Sequence, residues 1–300
     1  MRLNKKIMTY FKQYNKKEVT KAFLFLLPAL VLGTLFIILP IALSIIYGFT
    51  DYYLLTPNET KFVGLKNFST MLKDPMVIKA FINTAYFVIM VIPVQLGTAL
   101  ILAVLVNKKF KFNTLYRTAF YAPNIISLVV LSLLWNMLLS PNGGLINTLL
   151  QSIGLPAQPF LSSPKQAMPT IMFISSWQGA GFQMMIFLAG LSNIPTDQYE
   201  AADIDGANKW KQFLYITLPG LRPVAVFVLV TTIISAFKLI VQPMVMTGGG
   251  PLDSTLTIVY HIFNVGYKFR YVGYASAIAL TFTIILLPIS ILQSKLGKEQ

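Results

Sequence analysis

Residues 199–223 read YEAADIDGANKWKQFLYITLPGLRP, and they separate two long apolar runs of the chain. Four of the chain's ten acidic residues lie within this stretch or just before it, namely Asp197, Glu200, Asp203 and Asp205. This segment is charged, contains glycine and ends near proline, so it cannot be a continuation of either apolar run. We therefore predict an exposed loop with a structure of its own.

The residues of this loop predict two short helices joined by a sharp bend. Gly206 can adopt the left-handed conformation that ends a helix, and Asp205 or Asn208 can cap a second helix. Pro219 and Pro223 are expected to halt the second helix before the next apolar run. The second helix carries an apolar stripe at helical spacing, formed by Trp210, Phe213, Leu214 and Ile216.

The composition is that of a chain whose solvent is mostly lipid. Of the 300 residues, 55% are hydrophobic and only 11% are charged, whereas soluble domains are about 25% charged. A net charge of +14 would suggest nucleic acid in a soluble protein, but here the basic residues cluster between apolar runs and set membrane orientation. The lack of cysteine excludes disulfides and thiolate metal sites, and the single His261 cannot form a metal site alone.

Six apolar runs are long enough to cross the roughly 30 Å hydrocarbon layer as helices. They cover residues 22–49, 82–106, 119–139, 167–191, 223–246 and 273–293. The sequence therefore predicts an all-α polytopic membrane protein with a single transmembrane domain over residues 22–293. A basic segment, 1–21, precedes this domain, and a short tail, 294–300, follows it.

The distribution of basic residues sets the orientation of these runs. Sixteen basic residues fall in segments 1–21, 107–118, 192–222 and the tail, whereas seven fall on the other side and Lys238 lies within a run. We therefore predict that both termini and the loop 195–219 lie in the cytoplasm. The basic N-terminal segment has a second interpretation, as an arm that binds anionic lipid headgroups.

Two interpretations of the loop are open on physical grounds. Two short helices with an exposed apolar stripe can insert into a groove on a cytosolic protein. They can also rest on the lipid headgroups as an interfacial helix. The four carboxylates count against the second interpretation, because anionic headgroups would repel them.

Ten positions of the loop match one family pattern. The stretch EAADIDGANKWKQFLYITLP resembles the EAA loop of binding-protein-dependent ABC importer permeases, in which Glu-Ala-Ala, Asp-Gly-Ala, Phe and Ile-x-Leu-Pro stand at fixed spacing. The matching residues are Glu200, Ala201, Ala202, Asp205, Gly206, Ala207, Phe213, Ile216, Leu218 and Pro219. Other segments resemble the larger membrane subunit of maltose importers, namely FLFLLPALVLGTLFIILP (23–40), FVGLKNF (62–68), SAFKLIVQPMVMTGGGPLDSTLTIVYHIF (235–263) and GYASAIA (273–279).

The resemblance implies a type I ABC importer permease fold with six transmembrane helices, in a bacterial cytoplasmic membrane. In that family the EAA loop docks on a cytosolic ATPase and couples its movement to the helices. The implied partners are a second homologous permease subunit, two ATPase subunits and an extracytoplasmic solute-binding protein, and the implied substrate is a carbohydrate. ATP and Mg belong to the ATPase, because this chain lacks a GxxxxGK[ST] phosphate loop. We therefore expect a transport subunit without a cofactor, and not an enzyme.

The fourth run, AMPTIMFISSWQGAGFQMMIFLAGL (167–191), places polar and aromatic side chains at mid-membrane depth. Such groups are costly there unless they are paired or hydrated, so they indicate either packing between helices or a substrate path. The resemblance favours the path. The candidates in this run are Ser176, Trp177, Gln178, Gly179, Phe182 and Gln183, and those in the fifth run include Thr232 and Ser235.

Lys238 is a further candidate for the path, because a charge within a membrane run marks a functional site. It could meet an acidic sugar, or it could pair with helix carbonyls or a partner subunit. The family commonly has a lysine here, which weakens the case for an anionic substrate. The family often has an acidic residue a few positions later, where this chain reads Ile240, Val241 and Gln242.

Three classes of function are compatible with a membrane protein of this size. A carbohydrate ABC permease fits best, and an ABC permease for a non-sugar solute is its main alternative. A solitary secondary carrier usually has carboxylates within its spans, and the six runs contain no Asp or Glu. A membrane-embedded enzyme would need a nucleophile and a base or metal ligands, for which one histidine and no cysteine offer little.

Overall fold

The computed structural model describes residues 16–107 and 112–296. Most of the predicted basic N-terminal segment, the lysines at positions 108, 109 and 111 and the last four residues of the predicted tail lie outside the described residues. The described part of the chain is helical. Its only β pairing is an isolated bridge between Thr50 and Phe62.

The helices follow one another through short connections. In chain order they are α1 Lys16–Gly33, α2 Leu39–Gly48, α3 Lys66–Met71, α4 Pro75–Asn107, α5 Asn113–Ile125, α6 Leu128–Leu138, α7 Leu145–Ser152, α8 Ala167–Ser192, α9 Thr196–Ile204, α10 Lys209–Gln212, α11 Leu218–Gly220, α12 Arg222–Phe237, α13 Ile258–Phe263 and α14 Val272–Leu296. Wider π-helical turns join or extend several of them, at Thr34–Ile38, Phe213–Thr217, Pro243–Thr247 and Asn264–Lys268.

Three described helical segments are long and apolar enough to cross a membrane, namely Thr20–Gly48, Pro75–Asn107 and Ala167–Ser192. They overlap the first, second and fourth predicted runs. In two further places a pair of helices meets at a bend. If each of these pairs counts as one span, the described residues contain up to five spans. The sixth predicted run falls on α14, whose apolar part is the shorter segment Val272–Pro288.

The third predicted run, 119–139, is not one continuous helix. It falls on α5 and α6, which meet at 97°. Pro123 lies inside α5 near its end, Ile126 then takes an extended backbone conformation, and Ser127 is also non-helical. Proline removes one helical hydrogen bond and weakens the turn around it. An apolar pattern alone does not reveal such a bend.

The centre of the fold is the pair α4 and α8, which pack along their length. Ala99, Ala103 and Ala180 are almost fully buried between them. Small side chains let two membrane helices approach closely, so that dispersion contacts replace contacts with lipid. Gly181 extends this close packing to α5, because a Cβ at this position would overlap the carbonyl oxygen of Phe120. Small residues thus hold α8 in the middle of the bundle.

The first long helical segment, Thr20–Gly48, lies at the edge of the fold. None of the residues in the apolar stretch of this segment is buried, and the side chain of Phe25 is 86% exposed. It is anchored near its end, where Gly48 packs closely against Leu280 of α14. Such a continuous apolar surface suits contact with lipid or with another apolar protein surface.

Candidate functional site

A cavity of about 280 Å³ lies between α4, α8 and α12, and α5 and α6 contribute one residue each to its wall. The predicted path residues of α8 that line it are Gln178, Gly179, Phe182 and Gln183. Those from α12 and its C-terminal end are Thr232, Ser235 and Lys238. Residues from two distant parts of the sequence thus meet at one polar site inside an apolar bundle.

The cavity lies where a helix is interrupted. α12 ends at Phe237, and helical structure resumes only just before the π-helical turn Pro243–Thr247. The freed carbonyl of Leu239 accepts a hydrogen bond of 2.7 Å from the hydroxyl of Thr257. Non-helical backbone at membrane depth is tolerated where it lines a cavity or is buried in protein, and the residues from Lys238 to Gln242 do line this cavity.

Gln183 and Thr232 are the two most buried polar side chains among the predicted path residues that line the cavity, and a hydrogen bond joins them. The Nε2 of Gln183 donates this hydrogen bond to the hydroxyl of Thr232, which in turn donates to the carbonyl of Val228. The Oε1 of Gln183 is buried and has no hydrogen-bond partner among the described residues. A buried acceptor without a partner carries a desolvation cost of about 1–3 kcal/mol, which a hydroxyl donor on a ligand would remove.

The wall also contains polar residues that the sequence reasoning missed. Gln95 of α4 packs against Gly179, Asn124 of α5 accepts a 3.3 Å hydrogen bond from Gln178 Nε2, and Gln242 donates to Ser175 at 3.4 Å. Gln95 and Asn124 are carboxamide residues within the second and third predicted runs. The criterion that selected the polar residues of the fourth run would have found them in the second and third runs.

Two predicted path residues do not line the cavity. Ser176 is buried, and its hydroxyl points to the sulfur of Met172 at 3.6 Å. Trp177 packs edge-on against Trp135, with ring centroids 5.7 Å apart, and stays 42% exposed. Both follow from helical geometry, because the lining pairs Gln178 and Phe182, and Gly179 and Gln183, lie four positions apart on one face of α8, whereas Ser176 and Trp177 belong to other faces.

The cavity contains one charged side chain. Lys238 is exposed, and no Asp or Glu lies in the cavity wall. Among the described residues, the ion pairs are Lys79 with Asp253 and Lys209 with Asp203. Lys238 therefore faces the cavity without a carboxylate partner in the described part of the chain.

The loop 195–219 forms the predicted pair of helices. α9 begins after Pro195 and ends at Ile204, and Gly206 then has φ +73°. The side chain of Asn208 accepts a 2.8 Å hydrogen bond from the backbone N–H of Lys211, which makes Asn208 the cap of the second helix. Asp205 instead closes α9, through its N–H to the carbonyl of Ala201.

The two prolines at the end of the loop have different positions in the helices. Pro219 lies one residue before the end of the helical segment Lys209–Gly220, so the second helix ends there as predicted. Pro223 does not halt a helix but lies in the first turn of α12, where a proline needs no N–H partner. The chain turns between them at Leu221, where Lys209–Gly220 and α12 meet at 65°.

Hydrogen bonds across the bend hold the loop in shape. Gln212 Nε2 donates to Asp203 Oδ1, and Lys209 Nζ lies 3.2 Å from the same oxygen. These bonds, that from Gln212 first, lower the pKa of the Asp203 carboxyl below its usual value, because they stabilise the charged form. Tyr199 and Thr217 share a further hydrogen bond of 2.9 Å. Hydrogen bonds between the two helical segments of the loop therefore hold the bend in shape.

The loop presents its motif residues and apolar groups to the outside. Glu200, Ala201, Asp205, Gly206 and Pro219 are exposed, whereas Ala202, Ala207 and Phe213 are half-buried. Apolar side chains stand beside them without cover: Ile204 is 87% exposed, Trp210 66% and Tyr215 77%. Exposed apolar groups next to carboxylates on a rigid bend suit docking into a groove of another protein.

The family described as the inner membrane component of binding-protein-dependent transport systems matches residues 95–299. The chain belongs to this family. The matched residues include most of the cavity wall and the whole loop. This transport-system component is accordingly an integral membrane protein built from apolar helices.

Relatives of similar length support the assignment. The probable ABC transporter permease protein YurN of Bacillus subtilis is 35% identical over 285 residues, which cover 93% of this chain and 97% of the relative. The arabinooligosaccharides transport system permease protein AraP of the same organism is 32% identical over 95% of this chain and 90% of its own length. Among solved structures, a chain of a bacterial alginate ABC transporter in complex with an alginate pentasaccharide-bound periplasmic protein has a TM-score of 0.83, at 22% identity over 94% of this chain and 96% of its own. The fold of this family member is thus that of an ABC importer permease.

Proposed function

We propose that this chain is a transmembrane subunit of an ATP-driven importer that carries a carbohydrate across the cytoplasmic membrane of a bacterium. The observation that carries the proposal is the polar cavity at the interrupted end of α12. Sugar sites combine hydroxyl and carboxamide groups with aromatic faces in a largely apolar pocket. Gln178, Gln183, Thr232 and Phe182 supply those groups here.

The name of one relative supports a carbohydrate substrate. AraP is named for arabinooligosaccharides and shares nearly its full length with this chain. A volume of about 280 Å³ lies near the lower end of the range for ligand pockets, roughly 300 Å³. It would hold one or two sugar units at a time, so a longer saccharide would have to pass through in an extended form.

The loop 195–219 is the proposed link to ATP hydrolysis. Its exposed bend would dock in a groove on a cytosolic ATPase subunit, with Ile204 and Trp210 providing apolar contact and Ala201 allowing close approach. Two ATPase subunits would bind ATP and Mg, and their closure would move α12 through the rigid bend. Glu200 and Gly206 are proposed to transmit this movement.

The remaining partners would complete the pathway. A second, homologous permease subunit would cover part of the exposed apolar face of Thr20–Gly48. An extracytoplasmic solute-binding protein would deliver the sugar to the opposite side from the loop. In this arrangement each bent pair of helices crosses the membrane as one span, namely α5 with α6 and Lys209–Gly220 with α12. The chain then has six spans, and both of its termini lie in the cytoplasm.

The test of the proposal is purification of the tagged chain from its native membrane, followed by reconstitution in proteoliposomes. We expect a second permease, an ATPase and a solute-binding protein to co-purify, and uptake of a labelled saccharide to require enclosed ATP. Uptake by this chain alone, without ATP, would rule out the importer. ATP-dependent uptake of amino acids but of no saccharide would rule out the carbohydrate.

A further inference from the structure

We propose that a second cavity of this chain, at the opposite end of α8 from the loop 195–219, is an outer subsite that binds part of the saccharide through its hydroxyl groups. This outer cavity has a volume of about 410 Å³. The inference rests on the proposed function, because it takes the chain as a subunit of a carbohydrate importer. It goes further in naming a second binding site, which the saccharide occupies before it reaches the cavity at the end of α12.

The outer cavity lies between the end of α6, the turn Phe160–Ser162 and the turn at residues 247–251. The turn Phe160–Ser162 comes just before α8, whereas the loop 195–219 follows the end of α8. Since α8 has 26 residues, it is about 39 Å long at 1.5 Å per residue, and the outer cavity and the loop lie at its two ends. The cavity at the end of α12 lies between them, because residues 178–183 in the middle of α8 contribute to its wall.

An apolar cluster separates the outer cavity from the cavity at the end of α12. Leu139, Leu161 and Met246 line the outer cavity. Ala236 and Leu239 line the other cavity. All five side chains are buried and belong to one cluster, and the two walls have no residue in common. Buried side chains therefore separate a solute in the outer cavity from the second site, as expected of two successive sites on one path.

The wall of the outer cavity offers hydrogen-bonding groups but no charge. Its polar side chains are those of Asn136, Ser140, Ser162 and Thr247, and its other residues are leucine, proline, methionine and glycine. Asn136 Nδ2 donates to the carbonyl of Met246 at 3.3 Å, which leaves Asn136 Oδ1 without a partner among the described residues. Ser162 is exposed, and its hydroxyl makes no hydrogen bond within the described part of the chain.

These groups complement an uncharged ligand that carries several hydroxyls. A carboxamide oxygen accepts a hydrogen bond from a sugar hydroxyl, and a serine hydroxyl can both donate and accept. Pro141 and Pro251 add apolar surface for the C–H groups of a sugar ring. An ionised solute such as an amino acid would find no opposite charge in this wall. The volume of about 410 Å³ also falls within the range of ligand pockets, roughly 300–1,000 Å³.

Hydrogen bonds hold both sides of the outer cavity in place. The hydroxyls of Thr247 and Thr255 share a hydrogen bond of 2.7 Å, and the Thr255 hydroxyl lies 2.9 Å from the carbonyl oxygen of Gly250. On the other side, the buried side chain of Asn147 donates to the carbonyl of Ser140 at 3.2 Å. A wall that is ordered before the ligand arrives lowers the entropic cost of binding.

The experiment uses the absence of cysteine from this chain. Ser162→Cys places a thiol in the wall of the outer cavity, and Ser152→Cys places one at an exposed position of α7 outside the wall, as the matched control. The purified importer in lipid nanodiscs, without ATP, is treated with a small methanethiosulfonate reagent, and mass spectrometry follows the labelling of this chain. The probes are maltotriose and arabinotriose, and triglycine serves as a charged solute without hydroxyl groups.

We expect at least one of the trisaccharides to slow the labelling of Ser162→Cys about threefold when its concentration is about twice its Kd, because labelling follows the unoccupied fraction. Triglycine should have little effect, and the labelling of Ser152→Cys should not change. Slowing by neither trisaccharide would overturn the inference, because the outer cavity would then hold only water. Equal slowing by triglycine, or equal slowing at Ser152→Cys, would also overturn it.

Two further variants, made in the Ser162→Cys background, locate the bound saccharide. Asn136→Leu should abolish most of the protection, whereas Asn142→Leu should keep it, because Asn142 is exposed and lies outside the wall. Gln178→Ala alters the cavity at the end of α12 and should keep the protection at Ser162→Cys. Loss of protection in Gln178→Ala would show that the saccharide acts from that cavity, which overturns the inference.

The outcomes separate this inference from the proposed function. ATP-dependent uptake of a saccharide, without any slowing at Ser162→Cys, would leave the importer a carbohydrate importer and overturn the inference alone. ATP-dependent uptake of amino acids but of no saccharide would overturn the proposed function, and the inference would fail with it.

Discussion

The hydroxyl of Tyr199 in α9 lies 2.9 Å from the hydroxyl of Thr217, at the far end of the second helical segment of the loop. Eighteen positions of sequence separate the two residues, so this bond closes the loop into one unit. Thr217 is buried, and α12 begins only five positions later. A force on α9 would therefore reach the cavity-lining helix without first bending a flexible linker.

The Tyr199–Thr217 bond predicts a coupling defect in Tyr199→Phe. Loss of the hydroxyl removes the bond at a cost of about 1 kcal/mol in stability, while the ring still packs. We expect ATP hydrolysis by the reconstituted importer to continue and transport per ATP to fall several-fold. Tyr215→Phe is the matched control, because Tyr215 is 77% exposed. Equal transport by both variants would show that the bond has no part in coupling.

The contrast between Gln178 and Ser176 tests the assignment of the cavity. Gln178 lines it, whereas Ser176 is buried on another face of α8. Gln178→Ala should weaken the apparent affinity for the substrate by about tenfold, a loss of about 1.4 kcal/mol. Ser176→Ala should leave transport close to that of the wild type. The measurement is the concentration dependence of uptake in proteoliposomes, and an opposite ranking of the two variants would contradict the assignment.

The local features of the loop follow from the sequence, since each depends on a single residue and its neighbours. The sequence predicts a left-handed conformation for Gly206, which has φ +73°, and Asn208 is one of two predicted caps. The missed features depend on contacts between distant segments. Pro123 marks the turn at which α5 is weakened, but the 97° angle between α5 and α6 and the place of Gln95 beside Gly179 depend on the packed bundle, which neither hydropathy nor spacing describes.

Replacement by alanine is expected to impair folding at Gly181 but to alter substrate affinity at Gly179. A Cβ on Gly181 would overlap the backbone carbonyl of Phe120, which cannot move without moving α5. Gly181→Ala should therefore cost about 3 kcal/mol and lower the amount of folded protein. A Cβ on Gly179 would meet only the end of the Gln95 side chain. Gly179→Ala should fold but displace that carboxamide in the cavity, so that substrate affinity changes. Thermal unfolding and uptake together distinguish the two.

The hydrogen bonds of Asp203 predict a pH dependence of the loop. Because its pKa in the folded protein is lowered below 3.8, the stabilising contribution is complete above the unfolded value and is lost as the pH falls through the folded one. The fluorescence of Trp210 should therefore stay constant from pH 8 to about 5 and change only below pH 4. Asp203→Asn should remove the acid change, whereas Asp205→Asn should keep it. A change near neutral pH would contradict this account.

Gly206→Val tests whether the bend itself couples ATP hydrolysis to transport. Gly206 has φ +73°, and a Cβ added there would meet no heavy atom within 4 Å, so valine would cause backbone strain without a clash. A β-branched residue disfavours this conformation, and the bend should open. Gly154→Val is a matched control, because Gly154 has φ +79° in equally open space but lies outside the loop. The two variants should lose similar stability and both should retain ATP hydrolysis, but only Gly206→Val should lose most transport. If both variants transport equally, the strain alone explains the effect, and the bend has no role in coupling.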